Sequence, residues 1–270
     1  MAYNVKIETY PDGVKIYRYK KPIISKKQSC ETEYQENNTE NEESELEKDY
    51  NLDNDDVLIS SLNRTKNMIY KLARSNNFDY FVTITFDPNK VDRSNYSEVS
   101  KKFSKYLKNY QYRNEKLNYI FVPELHKDKK NYHFHGLVSG LSKKYLSAAY
   151  NPNNGKPITD KKGRSIYNWS KFNLGYTTVT PITNGYHPVS WYLSKYITKE
   201  VMLKSKNKKR YWRSIELKEP ETMKLMLDTE NLIENVIESY KKMYKKNDSR
   251  ATIKIENGTY QNEIDIFDFY

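Results

Sequence analysis

The chain has 270 residues, a length that accommodates one large domain or one domain with appendages. Charged residues make up 30% of it, and the mean hydropathy is −0.97. No stretch approaches the roughly 18 consecutive apolar residues of a membrane span, and the first residues lack the apolar segment of a signal peptide. The single cysteine, Cys30, excludes an internal disulfide. We therefore expect a cytoplasmic protein that does not associate with membranes.

Charge divides the chain into regions of opposite sign. The net charge is +11, but residues 31–56 hold 12 acidic residues and one lysine. Residues 57–270 hold 38 basic and 21 acidic residues, a balance that suits a polyanion such as nucleic acid. The acidic stretch has too few apolar residues to fold. We expect a disordered linker over residues 29–56, either a solvated tether or an arm that competes with DNA.

Hydrophobic periodicity predicts the elements in chain order. Alternating apolar residues on both sides of Pro11-Asp12-Gly13 predict a β-hairpin within residues 1–28. A globular domain is predicted at 57–216, followed by a C-terminal helix and hairpin at 217–270. The elements predicted after the linker are a helix from residue 57, a strand at 80–86, a helix at 95–112, strands at 118–125, 132–138 and 175–180, a helix at 188–203, a short strand at 209–216, a helix at 230–245 and a hairpin about Asn257-Gly258.

Two histidines lie two residues apart in a predicted strand. His133 and His135 therefore point to the same face, roughly 6.6 Å apart along the strand, where they could share one divalent cation, while Phe134 faces a core. The short preceding loop makes the strand before it an antiparallel neighbour, which brings Glu124 beside them as an oxygen ligand. Two histidines and one carboxylate leave coordination positions open, as in a catalytic site. His126 is either a fourth ligand or, as bending of the chain favours, a turn residue.

A predicted helix rich in tyrosine supplies the third element. Tyr192 and Tyr196 are i, i+4 neighbours on one helix face, and Lys195 and Lys199 repeat at the same interval. A phenol beside a metal-polarised phosphate is a competent nucleophile and forms a phosphotyrosyl bond. An adjacent lysine can stabilise developing negative charge. The alternatives are that the tyrosines only pack and that the histidines are half-exposed sheet residues.

In this order, the three elements resemble the HUH endonuclease superfamily, and in detail the rolling-circle replication initiators of plasmids and bacteriophages. The motifs match Phe81 to Phe86 for the hydrophobic strand with threonine, His133 to His135 for the histidine pair, and Tyr192 to Lys199 for the tyrosine helix. The stretch from Tyr196 to Glu200 is similar to the single-tyrosine form. This similarity makes Tyr196 the principal nucleophile and Tyr192 the second candidate.

The resemblance, which covers residues 57–215, implies an α+β fold. A central antiparallel sheet of about five strands would carry helices on one face, as in RRM and ferredoxin-like folds, and the metal and DNA on the other. It implies Mg or Mn as cofactor, held by His133, His135 and Glu124. It implies nicking and rejoining of single-stranded or hairpin origin DNA through a covalent 5′-phosphotyrosine. Because the sequence shows no helicase domain, a host helicase and DNA polymerase are expected partners.

Two alternatives stay open. The first is another HUH enzyme, a transposase or a conjugative relaxase, although relaxases usually add a third histidine and place their tyrosine near the N-terminus. The second is a non-catalytic nucleic-acid-binding module that uses a basic, aromatic sheet surface and no metal. Metal-dependent nicking of single-stranded DNA discriminates between an HUH enzyme and such a module.

Overall fold

A computed structural model describes eight stretches of the chain, which are residues 1–24, 55–114, 116–151, 153–183, 185–205, 208–244, 247–257 and 260–270. Most of the predicted acidic linker lies outside them; only its last two residues, Asp55 and Asp56, are described, and they begin a helix. The described residues form an α+β structure of two compact units. Among them, no helix is long and apolar enough to cross a membrane.

Twelve strands and five α-helices follow one another along the described residues. In chain order they are β1 (Ala2–Tyr10), β2 (Gly13–Ile24), α1 (Asp55–Arg74), β3 (Tyr80–Phe86), α2 (Tyr96–Arg113), β4 (Asn118–Leu125), β5 (Tyr132–Ser139), a 3-10 turn (Lys143–Tyr145), β6 (Leu146–Ala148), β7 (Tyr167–Trp169), β8 (Gly175–Pro181), α3 (Tyr186–Ser194), α4 (Lys199–Lys204), β9 (Trp212–Arg213), β10 (Glu221–Leu225), α5 (Glu230–Met243), β11 (Asp248–Asn257) and β12 (Tyr260–Phe269). The turn of the predicted C-terminal hairpin, residues 258–259, lies outside the described residues, but β11 and β12 pair antiparallel as expected.

The larger unit, Tyr10–Asp12 with Leu58–Pro220, contains an antiparallel sheet in the order β6-β7-β8-β3-β5-β4-β9. The prediction of about five strands in a single sheet was wrong. The described sheet has seven strands because β6, β7 and β9 extend its edges, and the smaller unit has its own sheet. These edge strands have only two or three residues each, too few to produce a periodic pattern. The expected strand at 209–216 is correspondingly reduced to Trp212–Arg213.

Helices pack on both faces of the seven-stranded sheet, which corrects the expectation of one helical face. On one face, α2 buries Val99, Phe103 and Leu107 against apolar residues of β3, β5 and β8. On the other face, α1, α3 and α4 cover Val122 and Leu137. The apolar residues on both faces of the central strands drive this double coverage. The histidine-bearing face is therefore partly enclosed.

The predicted helix at 188–203 is interrupted, and this prediction was wrong. Helix α3 ends at Ser194 and α4 begins at Lys199. Between them, Thr198 takes an extended conformation (φ −109°, ψ 165°), and its side chain accepts a hydrogen bond from the Val201 amide, which caps α4. The apolar spacing continues through the break because Leu193 and Ile197 are both buried in the same core. Periodicity alone did not reveal the cap.

The smaller unit joins the described residues of both ends of the chain. It comprises Met1–Thr9, the described part of Gly13–Val57, and Glu221–Tyr270, and its sheet has the order β10-β1-β2-β12-β11. Ile233 and Ile237 of α5 pack on this sheet. Segments 1–28 and 217–270 thus contribute strands to one sheet, and β10 was not anticipated because its residues are mostly exposed.

Candidate active site

Strand register places the predicted ligands side by side. In the ladder between β4 and β5, Glu124 is opposite His133, and Val122 is opposite His135. On the other side of β5, β3 places one threonine opposite each histidine. Because partners across a ladder share a face, Glu124 and the two histidines lie on the same face, as predicted.

His135 is held from both ring nitrogens. Its Nε2 is 2.6 Å from Oε2 of Glu124, and its Nδ1 is 3.1 Å from Oγ1 of Thr83. The His135 side chain is 9% exposed, whereas that of Glu124 is 37% exposed. In the neutral imidazole, Nε2–H donates to the carboxylate and the Thr83 hydroxyl donates to Nδ1. The hydroxyl can also accept from Nδ1–H, which would free Nε2 as a ligand atom.

His133 stacks on another imidazole. Its ring lies 4.8 Å from that of His126 at an interplanar angle of 19°, and its Nδ1 is 3.4 Å from Oγ1 of Thr85. Burial, with the nearby His126 and His135, lowers the pKa of His133, so its imidazole keeps a free lone pair at neutral pH. His126 follows the last residue of β4, and its amide donates to the carbonyl of Asn131. It thus lies in the turn, as favoured, but also contacts the site.

Tyr196 contacts the predicted metal ligands directly. Its ring is stacked on that of His135, with centroids 3.8 Å apart and an interplanar angle of 10°. The ring of Tyr192 meets that of Tyr196 edge-on at 5.1 Å. Burial first, then the hydrogen bond and charge of Tyr192 and the charge of Glu124, raises the pKa of Tyr196. Its phenol is therefore protonated at neutral pH.

The donor set suits a divalent cation, because imidazole nitrogens and a carboxylate oxygen are ligands for ions such as Mn and Mg. Among the described residues, however, no group of three or more His, Cys, Asp or Glu side chains is arranged to hold a metal ion. The contact between His135 and Glu124 accounts for part of this difference, since each uses a ligand atom on the other. The residues fit a metal by their chemistry and shared face.

The two predicted lysines are positioned differently from the tyrosines. Lys195 is exposed, and its Nζ lies 3.2 Å from the centroid of the Trp191 ring. Lys199 is half-buried and is the first residue of α4. The interruption between α3 and α4 separates these two lysines, so they do not repeat along one continuous helix.

Sequence reasoning matched the strand containing Thr83 and Thr85 to a motif but gave the threonines no role. Each threonine hydroxyl approaches one histidine ring nitrogen. Their i, i+2 spacing in β3 equals that of the histidines in β5. Since β3 pairs antiparallel with β5, this equal spacing was the available signal.

Exposed aromatic rings surround the site. Tyr192 and Trp191 on α3 are 49% and 55% exposed, and Tyr176 on β8, opposite Thr85 of β3, is 69% exposed. Such rings are suited to stacking with unpaired bases. Phe81 contacts the rings of both His135 and Tyr192, which joins the aromatic surface to the histidine pair.

A strand–helix arrangement with a histidine pair next to a tyrosine defines a class of DNA-processing proteins. Residues 79–201 match the model of a family of replication-associated proteins, described by its member ORF2. This segment belongs to a family of rolling-circle replication initiators, and it contains every residue of the site. No curated protein and no solved structure matches the chain.

Proposed function

We propose that the chain is an HUH-type nickase and ligase that initiates rolling-circle DNA replication. The observation that carries this proposal is the stacking of Tyr196 on His135 inside the family-matched segment. Neither packing nor solubility requires a half-buried phenol beside a hydrogen-bonded histidine and carboxylate. A phenol nucleophile beside metal-binding side chains does require this arrangement.

The proposed reaction is a transesterification. The phenolic oxygen of Tyr196 forms a bond to phosphorus while the bond from phosphorus to the 3′ oxygen of the preceding nucleotide breaks. The phenolic proton passes to solvent, and the released 3′ oxygen takes up a proton. The products are a 5′-phosphotyrosine and a 3′ hydroxyl, which a host polymerase can extend. The phosphodiester energy is retained, so reversal of the step can reseal the strand.

His133, His135 and Glu124 would hold the divalent cation, Mg or Mn. When bound, the cation supplies Lewis-acid polarisation of the scissile phosphate. The protein side chains orient the reactants. Thr83 orients the ring of His135, and the enclosed sheet face limits the water that reaches Tyr196.

Tyr192 is placed for a second role. Its ring contacts that of Tyr196 and is half exposed. An exposed phenol next to the first nucleophile is suited to the second cleavage, or to the transfer that closes the released strand. Exposed Trp191, with Lys195 over it, adds a stacking and charge contact for the approaching single strand.

The direct test is incubation of the full chain with single-stranded or hairpin DNA from the origin of its own element and Mn. We expect a covalent protein–DNA adduct that resists denaturation and requires the metal. A chain that binds DNA without forming any adduct would be a non-catalytic binding module. An adduct formed only with transposon-end DNA would instead indicate the transposase alternative.

A further inference from the structure

A cavity of about 580 Å³ lies along α2, on the sheet face opposite the histidine pair. A stripe of α2 at helical spacing, Lys102, Tyr106, Asn109 and Arg113, forms one wall. The segment between β7 and β8, with Lys171, forms the other wall. The complete lining is Lys90, Lys102, Lys105, Tyr106, Asn109, Tyr110, Arg113, Asn114, Lys171, Asn173 and Leu174.

The lining carries positive charge that the surrounding protein does not neutralise. Five of the lining side chains are cationic and none is a carboxylate. Lys90 and Lys102 pair with carboxylates outside the cavity, at 4.0 Å and 2.7 Å. Lys105, Arg113 and Lys171 form no ion pair with a carboxylate of the described residues, and all three are exposed. Three such cations facing one concave surface attract a polyanion.

Two buried donors at the cavity have no partner in the described part of the chain. The hydroxyl of Tyr106 is buried without a hydrogen bond, as is Nε1 of Trp169, whose ring centroid is 5.7 Å from that of Tyr106. Buried polar groups in proteins are nearly always hydrogen-bonded. An unpartnered hydroxyl in a cationic wall is suited to donate to an oxygen of a bound anion.

We propose that this α2 cavity is a second DNA-binding site, which holds the phosphodiester backbone of an origin segment outside the nick site. Cationic side chains and an aromatic wall recognise a strand by its phosphates and not by its base sequence. The site lies across the sheet from Tyr196, so it does not compete with the strand being cleaved. The inference rests on the proposed function only in taking DNA as the polyanion.

The test compares two triple variants of the full chain. Lys105→Ala/Arg113→Ala/Lys171→Ala removes the cavity cations that lack an ion pair. Lys162→Ala/Arg213→Ala/Lys218→Ala removes the same charge from exposed positions outside the lining. Affinity for a fluorescein-labelled single-stranded DNA is measured by fluorescence anisotropy over a series of NaCl concentrations. Circular dichroism melting of each variant checks that both remain folded.

We expect the cavity variant to bind at least about tenfold more weakly and its salt slope to fall by about 2, because three phosphate contacts are lost. The control variant should change the slope much less. Tyr106→Phe should weaken binding by about threefold to tenfold, through loss of one hydroxyl donor, without lowering the melting temperature. Equal slopes for the two triple variants would overturn the proposal.

A nucleoside triphosphate is the other source of the same chemistry. ATP binding to the wild-type chain and to the cavity variant is therefore measured by titration calorimetry. If the cavity variant loses ATP binding but keeps its DNA affinity and salt slope, the cavity is a nucleotide site and the DNA assignment is wrong. The adduct assay is scored separately, so loss of nicking chemistry and loss of this binding site are distinguishable.

Discussion

The ring of Tyr196 lies parallel to that of His135, with centroids 3.8 Å apart, and the same imidazole bonds Glu124 and Thr83 through its two nitrogens. One buried ring thus links the candidate nucleophile, a candidate metal ligand and a positioning hydroxyl. Loss of any one of these links should therefore have its own measurable effect on nicking.

Tyr196→Phe should abolish the covalent adduct on origin DNA. Phenylalanine keeps the ring stacked on His135 and removes only the hydroxyl, so folding should be nearly unchanged. Tyr192→Phe is the matched variant and should leave the first cleavage intact while reducing rejoining or the second cleavage. Peptide mapping of the adduct places the DNA on one side chain. DNA attached to Tyr192 would reverse the assignment, and DNA attached to neither would end the proposed mechanism.

Replacing both predicted ligand histidines, His133→Ala with His135→Ala, should abolish nicking. Most DNA affinity should remain, because phosphate contacts come mainly from lysine and arginine. His187→Ala is the control, since this histidine lies on α3 and contacts Tyr70 rather than the pair. Nicking gels and anisotropy measure the two properties separately. Full nicking by the double variant would refute the metal site.

Thr83→Val should reduce nicking by about tenfold or more, the usual cost of removing a hydrogen bond that orients a metal-binding histidine. Valine is β-branched like threonine, so β3 should be preserved. Thr178→Val is the control, because Thr178 lies opposite Thr83 on β8 and has no hydrogen bond to a histidine among the described residues. The Mn concentration needed for half-maximal nicking should rise for Thr83→Val alone. Identical Mn curves for the two variants would show that Thr83 does not position His135.

Asp265→Asn should destabilise the smaller unit by about 2 kcal/mol at neutral pH. Burial by itself would raise the pKa of Asp265, but hydrogen bonds from Thr252 and Arg18 lower it. Because the folded-state pKa is below the unfolded value of about 3.9, the stabilisation is present above that pH. It is lost as the pH falls through the folded-state pKa.

Urea denaturation at neutral pH and at about pH 3 measures this difference, which should shrink in acid. Glu263→Gln is the control on the same strand. Its pair with Lys20, at 2.6 Å, is more exposed and should contribute less than about 1 kcal/mol. A difference between Asp265→Asn and wild type that stays constant with pH would contradict the linkage.

Replacing residues 31–54 by glycine and serine at the same length should leave DNA affinity equal or higher. The replaced residues are acidic, whereas residues 57–270 carry the excess of basic side chains. Asp55 and Asp56 are kept because they begin α1. Anisotropy at low salt gives the largest effect, since screening weakens charge repulsion. Lower affinity would show that the acidic segment has a positive role in binding.

The sequence alone determined the local features of this protein. Strong period-2 runs placed β3, β4, β5 and β8, and the spacing of two residues put His133 and His135 on one face. The short loop between β4 and β5 then brought Glu124 beside them. These features are predictable because strand alternation and hairpin pairing depend on neighbouring residues only.

Tertiary structure decided the rest. Burial of Ile197 and the Thr198 cap broke the predicted tyrosine helix, and this break lies next to the turn in which Tyr196 stacks on His135. Helices on both sheet faces, and the joining of the two chain ends in one sheet, depend on contacts between distant segments. Short edge strands also form only when a longer strand is present to pair with them. Such long-range contacts leave no local period in a sequence, and single-chain patterns therefore could not predict them.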